Sequence, residues 1–166
     1  MKSHIHITEP IIRMVHALSA AFDNEIIFCG SFGLVYNGVL DRPIGDIDVM
    51  TMHDYYHGGW DKDSALEREE GSSGTFQIGD HIVVCFKLWL KGDTDAPSAD
   101  IFYAHDNYMP SYDVVDFHGV KIKIEKPEGA IVAKKRYVAS PQLKNRNKHK
   151  SDLNNMSVES MDDLPF

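Results

Sequence analysis

Apolar side chains recur at positions 11, 12, 15, 18, 21 and 22, a spacing near 3.6 residues that predicts a helix over Ile11–Phe22. A short apolar run from Glu25 to Gly30 then reads as a buried strand ending on glycine. Ser31 suits a helix N-cap, and Phe32–Val39 suits the helix, which Asp41-Arg42-Pro43 breaks. Asp46–Met50 alternates polar and apolar residues, the period of a strand. The pattern fades between Thr51 and Gly74, where an irregular or helical insertion is expected, with a mobile loop at Gly71-Ser72-Ser73-Gly74. Thr75–Ile78 and His81–Leu90 read as a hairpin about Gly79-Asp80, Ala99–Tyr103 as a further strand, and Val114–Phe117 with Val120–Glu125 as a second hairpin about His118-Gly119. Pro127 and Glu128 open a helix to about Ala139, Ser140-Pro141 interrupts it, and Gln142–Asn154 forms a last basic helix.

Strands interleaved with helices make the expected class α/β, a mixed sheet with helices mainly on one face. A length of 166 residues is one domain's worth, taken as 1–154 with a frayed tail over 155–166. No apolar stretch approaches the ~20 residues of a membrane span, so no membrane partner is expected. The two cysteines, Cys29 and Cys85, sit inside apolar runs and read as reduced core thiols. Together with an N-terminus that lacks an apolar leader core, they point to a cytoplasmic protein. The net charge is −8, but unevenly spread: Lys121–Lys150 carries ten basic and two acidic residues. An acidic body that could hold cations thus adjoins a basic segment that could hold anions.

One spacing carries chemistry. A buried strand ends in Gly30-Ser31, a helix follows, and Asp46-Ile47-Asp48-Val49 places carboxylates at i and i+2 of a later strand. Residues two apart share a strand face, so the two acids converge, and like charges that close call for a cation. Mg²⁺, a hard ion with a preference for oxygen ligands and phosphate partners, meets that need. Asp100 supplies a third acid on another strand. Gly30-Ser31, at a strand-to-helix turn, offers backbone N–H groups and a hydroxyl to phosphate. Zinc is disfavoured, because His4/His6 and His53/His57 each make an incomplete ligand set with no cysteine near either.

The run Gly30-Ser31-Phe32-Gly33-Leu34-Val35-Tyr36-Asn37-Gly38, then Arg42, then Asp46-Ile47-Asp48-Val49, resembles the nucleotidyltransferase superfamily with the DNA polymerase β-like fold. It looks most like its small bacterial and phage branch, which includes the AbiEii-type toxins and minimal nucleotidyltransferases. Asp100 matches the third acid of that pattern. Pro127-Glu128, Lys134-Lys135, and Lys148-His149 with Asp152-Leu153 look like its closing helices. The resemblance implies transfer of a nucleoside monophosphate from an NTP to an acceptor hydroxyl, with release of pyrophosphate. It implies Asp46, Asp48 and Asp100 as catalytic ligands of two Mg²⁺ ions, with Mn²⁺ as a substitute. It implies Gly30, Ser31, Arg42, Lys134 and Lys135 as nucleotide-binding residues. The acceptor is left open among RNA, protein and a small molecule, with the basic stretch from Lys144 to Lys150 tilting toward RNA. A homo-oligomer is left open too. The alternative is a binding protein that keeps the fold without turnover and acts on a defence or toxin–antitoxin partner.

Overall fold

The computed structural model describes residues 5–55, 60, 65–78, 80–106, 108–139 and 146–156. Helix α1 (Glu9–Ala21) begins two residues before the apolar period does, because Pro10 occupies its first turn, where a missing N–H costs nothing. Asp23 and Asn24, both with positive φ, reverse the chain into β1 (Ile26–Cys29). Helix α2 (Gly30–Tyr36) follows at once, and β2 (Ile47–Thr51) returns antiparallel to β1. Then come β3 (Leu66–Arg68), β4 (Gly74–Ile78), β5 (His81–Leu90), β6 (Ala99–Ala104), β7 (Tyr112–Phe117) and β8 (Val120–Glu125). Helices α3 (Pro127–Ala139) and α4 (Arg146–Asn154) close the described chain.

The eight strands form one mixed sheet in the order β3-β5-β6-β2-β1-β8-β7, with β4 also pairing β5. The β1–β8 and β2–β6 pairs are parallel, and the others are antiparallel. Both expected hairpins form, as β4–β5 and β7–β8. The class is α/β, as the pattern of elements predicts. One local expectation differs. The stretch expected to be irregular or helical contains β3, a three-residue strand along the far end of β5, whose patterning is too short to read. The Gly71–Gly74 segment joins β3 to β4, and the Ser72 hydroxyl donates to the Glu69 carbonyl (2.7 Å) and accepts the Lys87 N–H (3.0 Å). For the last helix, α4 is seen from Arg146, and 140–145 lie outside the described residues, as do 157–166 of the expected tail. Met156 is buried and bridges Leu40.

The sheet's two faces have different fates. On one, Phe28, Val49, Phe86, Leu88, Ile101, Ile122 and Ile124 pack with Met14, Val15 and Leu18 of α1 and Phe32 and Leu34 of α2 into the main core. Each such side chain contributes roughly 1.5–3 kcal/mol by leaving water. The opposite face carries the alternate residues, and α3 stands over Asp48, Met50 and Phe102 across a cleft. Among the described residues no helix is long and apolar enough to cross a membrane.

Candidate functional site

Register assembles the site. Asp48 on β2 lies opposite Cys29 of β1 on one side and Asp100 of β6 on the other, and Asp100 lies opposite Lys87 of β5. Cross-strand partners share a face, so these side chains form a polar row across the half-open face, spaced at the ~4.8 Å strand separation. The parallel pairing of Phe28 with Ile124 brings Glu125, the last residue of β8, up beside Cys29 at the end of that row. Met50 and Phe102, two residues further along their strands, make an apolar row next to it. Above lies a cleft of about 370 Å³, walled by Asp48, Gly30 and Glu125 at one end and by Val132 and Ala133 of α3. Its other end carries His81 stacked on Tyr108 (centroids 4.1 Å apart, planes 16° from parallel), with His81 Nδ1 held 2.6 Å from Asp106.

The acids are in tension. Among the described residues no group donates a hydrogen bond to Asp48, and its pKa is pushed up to about 7, first by burial, then by Asp100 and Asp46. Asp100 is also raised by burial, although Lys87 Nζ stands 3.8 Å away and opposes the shift. Asp46 lies one residue before β2 and accepts a hydrogen bond from Ser98 Oγ at 2.9 Å. Glu125 is 7% exposed and is raised to about 7 by burial, against the pull of the Gly30 N–H and Lys134.

Gly30 is where chain and site meet. Its φ is +63°, and a Cβ there would sit 2.6 Å from Asp48 Oδ2, so only glycine fits without displacing the carboxylate. Its N–H donates to Glu125 Oε1 at 3.2 Å. Ser31 is not the helix cap expected of it: α2 already begins at Gly30, with Cys29 in the cap position. Its hydroxyl instead accepts from Arg42 Nη2 (2.8 Å) and Lys134 Nζ (3.2 Å). Both cations also grip Asp152 of α4: Arg42 through Nε (2.6 Å) and Nη2 (2.8 Å), Lys134 through Nζ (2.9 Å). Burial pushes the Asp152 carboxyl up, but the hydrogen bonds from Arg42 and Lys134 outweigh it and bring it down to about 2. His149, 3.4 Å from Lys134, is lowered to about 4 by burial and by that ammonium.

Of the residues singled out by sequence, Gly30, Asp48 and Lys134 line the cleft together. Asp100 is the ladder neighbour of Asp48, Ser31 and Arg42 join through Lys134 and Asp152, and Lys135 is not part of the cleft wall. Sequence reasoning does not single out Glu125 or Lys87. Glu125 falls in phase with Lys121 and Lys123, which reads as a solvent face, and only its neighbour β1 makes that face a site.

The donor set fits a hard cation, since Asp48 and Asp100 offer adjacent oxygens and Asp48 has no competing donor. Among the described residues no three His, Cys, Asp or Glu side chains form a ready metal-ligand group. Mg²⁺ commonly takes one or two carboxylates and fills its octahedron with water and substrate phosphates, so it needs no larger set.

No described protein family and no curated protein matches the chain. Solved structures do. Over 88% of its length the chain is similar to JHP933 from Helicobacter pylori, at 13% identity and a TM-score of 0.44, and it spans 65% of that protein. Over 87% of its length it is similar to an antigenic nucleotidyltransferase-like protein from Paracoccidioides brasiliensis, at 12% identity and a TM-score of 0.42, spanning 74% of it.

Proposed function

We propose that the chain transfers a nucleoside monophosphate from an NTP to an acceptor hydroxyl and releases pyrophosphate. The observation that carries this reading is the in-register pair Asp48–Asp100, with Asp48 set against Gly30 and Lys134 lining the same cleft, where it meets Ser31, itself held by Arg42. Asp48 and Asp100 would hold Mg²⁺, or Mn²⁺ in its place, which when bound supplies Lewis-acid polarisation of the phosphoryl group, with Asp46, held by Ser98, beside them. The Gly30 N–H, the Ser31 hydroxyl and the two cations would bind the β- and γ-phosphates. Asp100 would take the proton of the attacking hydroxyl. The apolar row of Met50 and Phe102 would exclude water beside the reacting groups.

RNA is the acceptor this reading favours, because Lys148 and Lys150 stand exposed on α4, free to meet phosphates. A second reading, a nucleotidyltransferase-fold binding protein without turnover that acts on a defence or toxin–antitoxin protein, draws on the engagement of Gly30, Arg42 and Lys134 by the chain's own carboxylates. Incubation with each α-labelled NTP, Mg²⁺ and a cell extract separates the two. Label on a macromolecule with release of pyrophosphate supports transfer. Nucleotide binding without pyrophosphate supports the second reading, and no nucleotide binding rejects both.

A further inference from the structure

We infer that Asp152 occupies, from within the chain, the place of a substrate phosphoryl group, so that α4 is a latch which a polyphosphate must displace to bind. The inference rests on the nucleotide-binding reading above and adds a regulation to it.

The groups assigned to phosphate are already satisfied, and by carboxylates. Asp152 spans the Arg42 fork with both oxygens, Oδ1 to Nε and Oδ2 to Nη2, and shares Oδ2 with Lys134 Nζ. Two planar oxygens across a guanidinium, with an ammonium closing the third side, is the arrangement in which a phosphoryl group is also bound. Glu125 accepts a single hydrogen bond of 3.2 Å from the Gly30 N–H. Asp152 is 2% exposed and Lys134 3%, so neither charge can be left bare, and any anion that takes the cations must first push the carboxylate out.

The holder of that carboxylate is built to let go. Helix α4 has nine residues, too few to be stable alone, and it presents Asn147, Lys148, Lys150, Ser151 and Asn154 to solvent. Among the described residues its anchorage includes Asp152, His149 set 3.4 Å from Lys134, partly buried Leu153 and, just beyond the helix, buried Met156. Because Asp152 is tethered, it competes at a high effective concentration, which weakens a free anion's apparent affinity. It also cancels one of the two positive charges that a triphosphate would meet.

The test measures binding of inorganic triphosphate, without nucleoside or metal, to wild type and to Asp152→Asn. The amide keeps the shape and removes the charge. The inference expects affinity to tighten by about tenfold or more in Asp152→Asn, within the usual range of intramolecular coupling, while the melting temperature falls. Equal or weaker binding by a folded Asp152→Asn overturns it, as does no binding by either protein. Should that variant not fold, hydrogen exchange of the wild type decides: amides 146–154 must lose protection as triphosphate is added, and unchanged or increased protection overturns the latch. The two proposals fail separately. Tighter triphosphate binding with no labelled acceptor keeps the latch and rejects transfer, and labelling with α4 still protected does the reverse.

Discussion

Gly30→Ala is the substitution whose cost the structure specifies most closely. Two penalties add. A non-glycine residue held at φ +63° costs about 1–2 kcal/mol. The new methyl, placed 2.6 Å from Asp48 Oδ2, must drive that carboxylate off its rotamer for about 0.5–1.5 kcal/mol more. The sum of about 1.5–3.5 kcal/mol corresponds to a fall of about 3–14 °C in melting temperature for a domain of this size. The matched control is Gly45→Ala, where nothing lies within 4 Å of the added Cβ and φ is not left-handed. There the lower chain entropy of the unfolded state makes the change neutral or stabilising by up to about 1 kcal/mol. Thermal unfolding of both variants, followed by circular dichroism, makes the comparison. Because Asp48 moves in Gly30→Ala, stabilisation by Mg²⁺ should shrink in that variant and persist in Gly45→Ala. Equal melting temperatures for the two variants would refute the reasoning about Gly30.

Three further outcomes follow from the same geometry. Millimolar Mg²⁺ or Mn²⁺ should raise the melting temperature of wild type by mass action, and Asp48→Asn should abolish the rise; a flat wild-type response counts against the metal site. Asp48 and Glu125, each raised to about 7 in the fold from about 4 in the unfolded chain, favour folding when protonated. Their contribution is therefore complete below about pH 4 and lost as pH rises to about 7. Asp152, lowered to about 2, acts oppositely, its contribution present above about pH 4 and lost as pH falls through about 2. His149, lowered to about 4, adds stability as pH rises from about 4 to about 6.5 and offsets one of the two raised carboxylates. Urea unfolding of the metal-free protein should therefore still show a net fall between about pH 4 and 7, and its absence would contradict the assignment. Replacing Lys144, Arg146, Lys148 and Lys150 with Ala should flatten the salt dependence of binding to bulk tRNA and spare NTP binding; no tRNA binding by wild type at low salt moves the acceptor to a protein or small molecule.

What the linear chain determined was local. The period of Ile11–Phe22, the alternation of Asp46–Met50, the two hairpins and the opening of α3 at Pro127 are written within a dozen residues each, because backbone hydrogen bonding and one-sided burial impose a period on neighbours. The pairing of Gly30-Ser31 with an acid-x-acid strand and Asp100 was legible in the same way, as a pattern of residue types. Tertiary structure alone decided who meets whom. Strand β3 has three residues and no readable period, and it exists because β5 is long enough to template it at its far end. The polar row of Glu125, Cys29, Asp48, Asp100 and Lys87 arises from pairings between β8, β1, β2, β6 and β5, and a shift of one residue in any of them would turn a member to the other face. Ser31 looked like a helix cap because a hydroxyl after a strand usually is one. Its true partners, Arg42 and Lys134, lie 11 and 103 residues further along. Asp152 was legible with Leu153 only as part of a closing helix; folding brings it across 110 residues onto Arg42, where burial makes the ion pair obligatory.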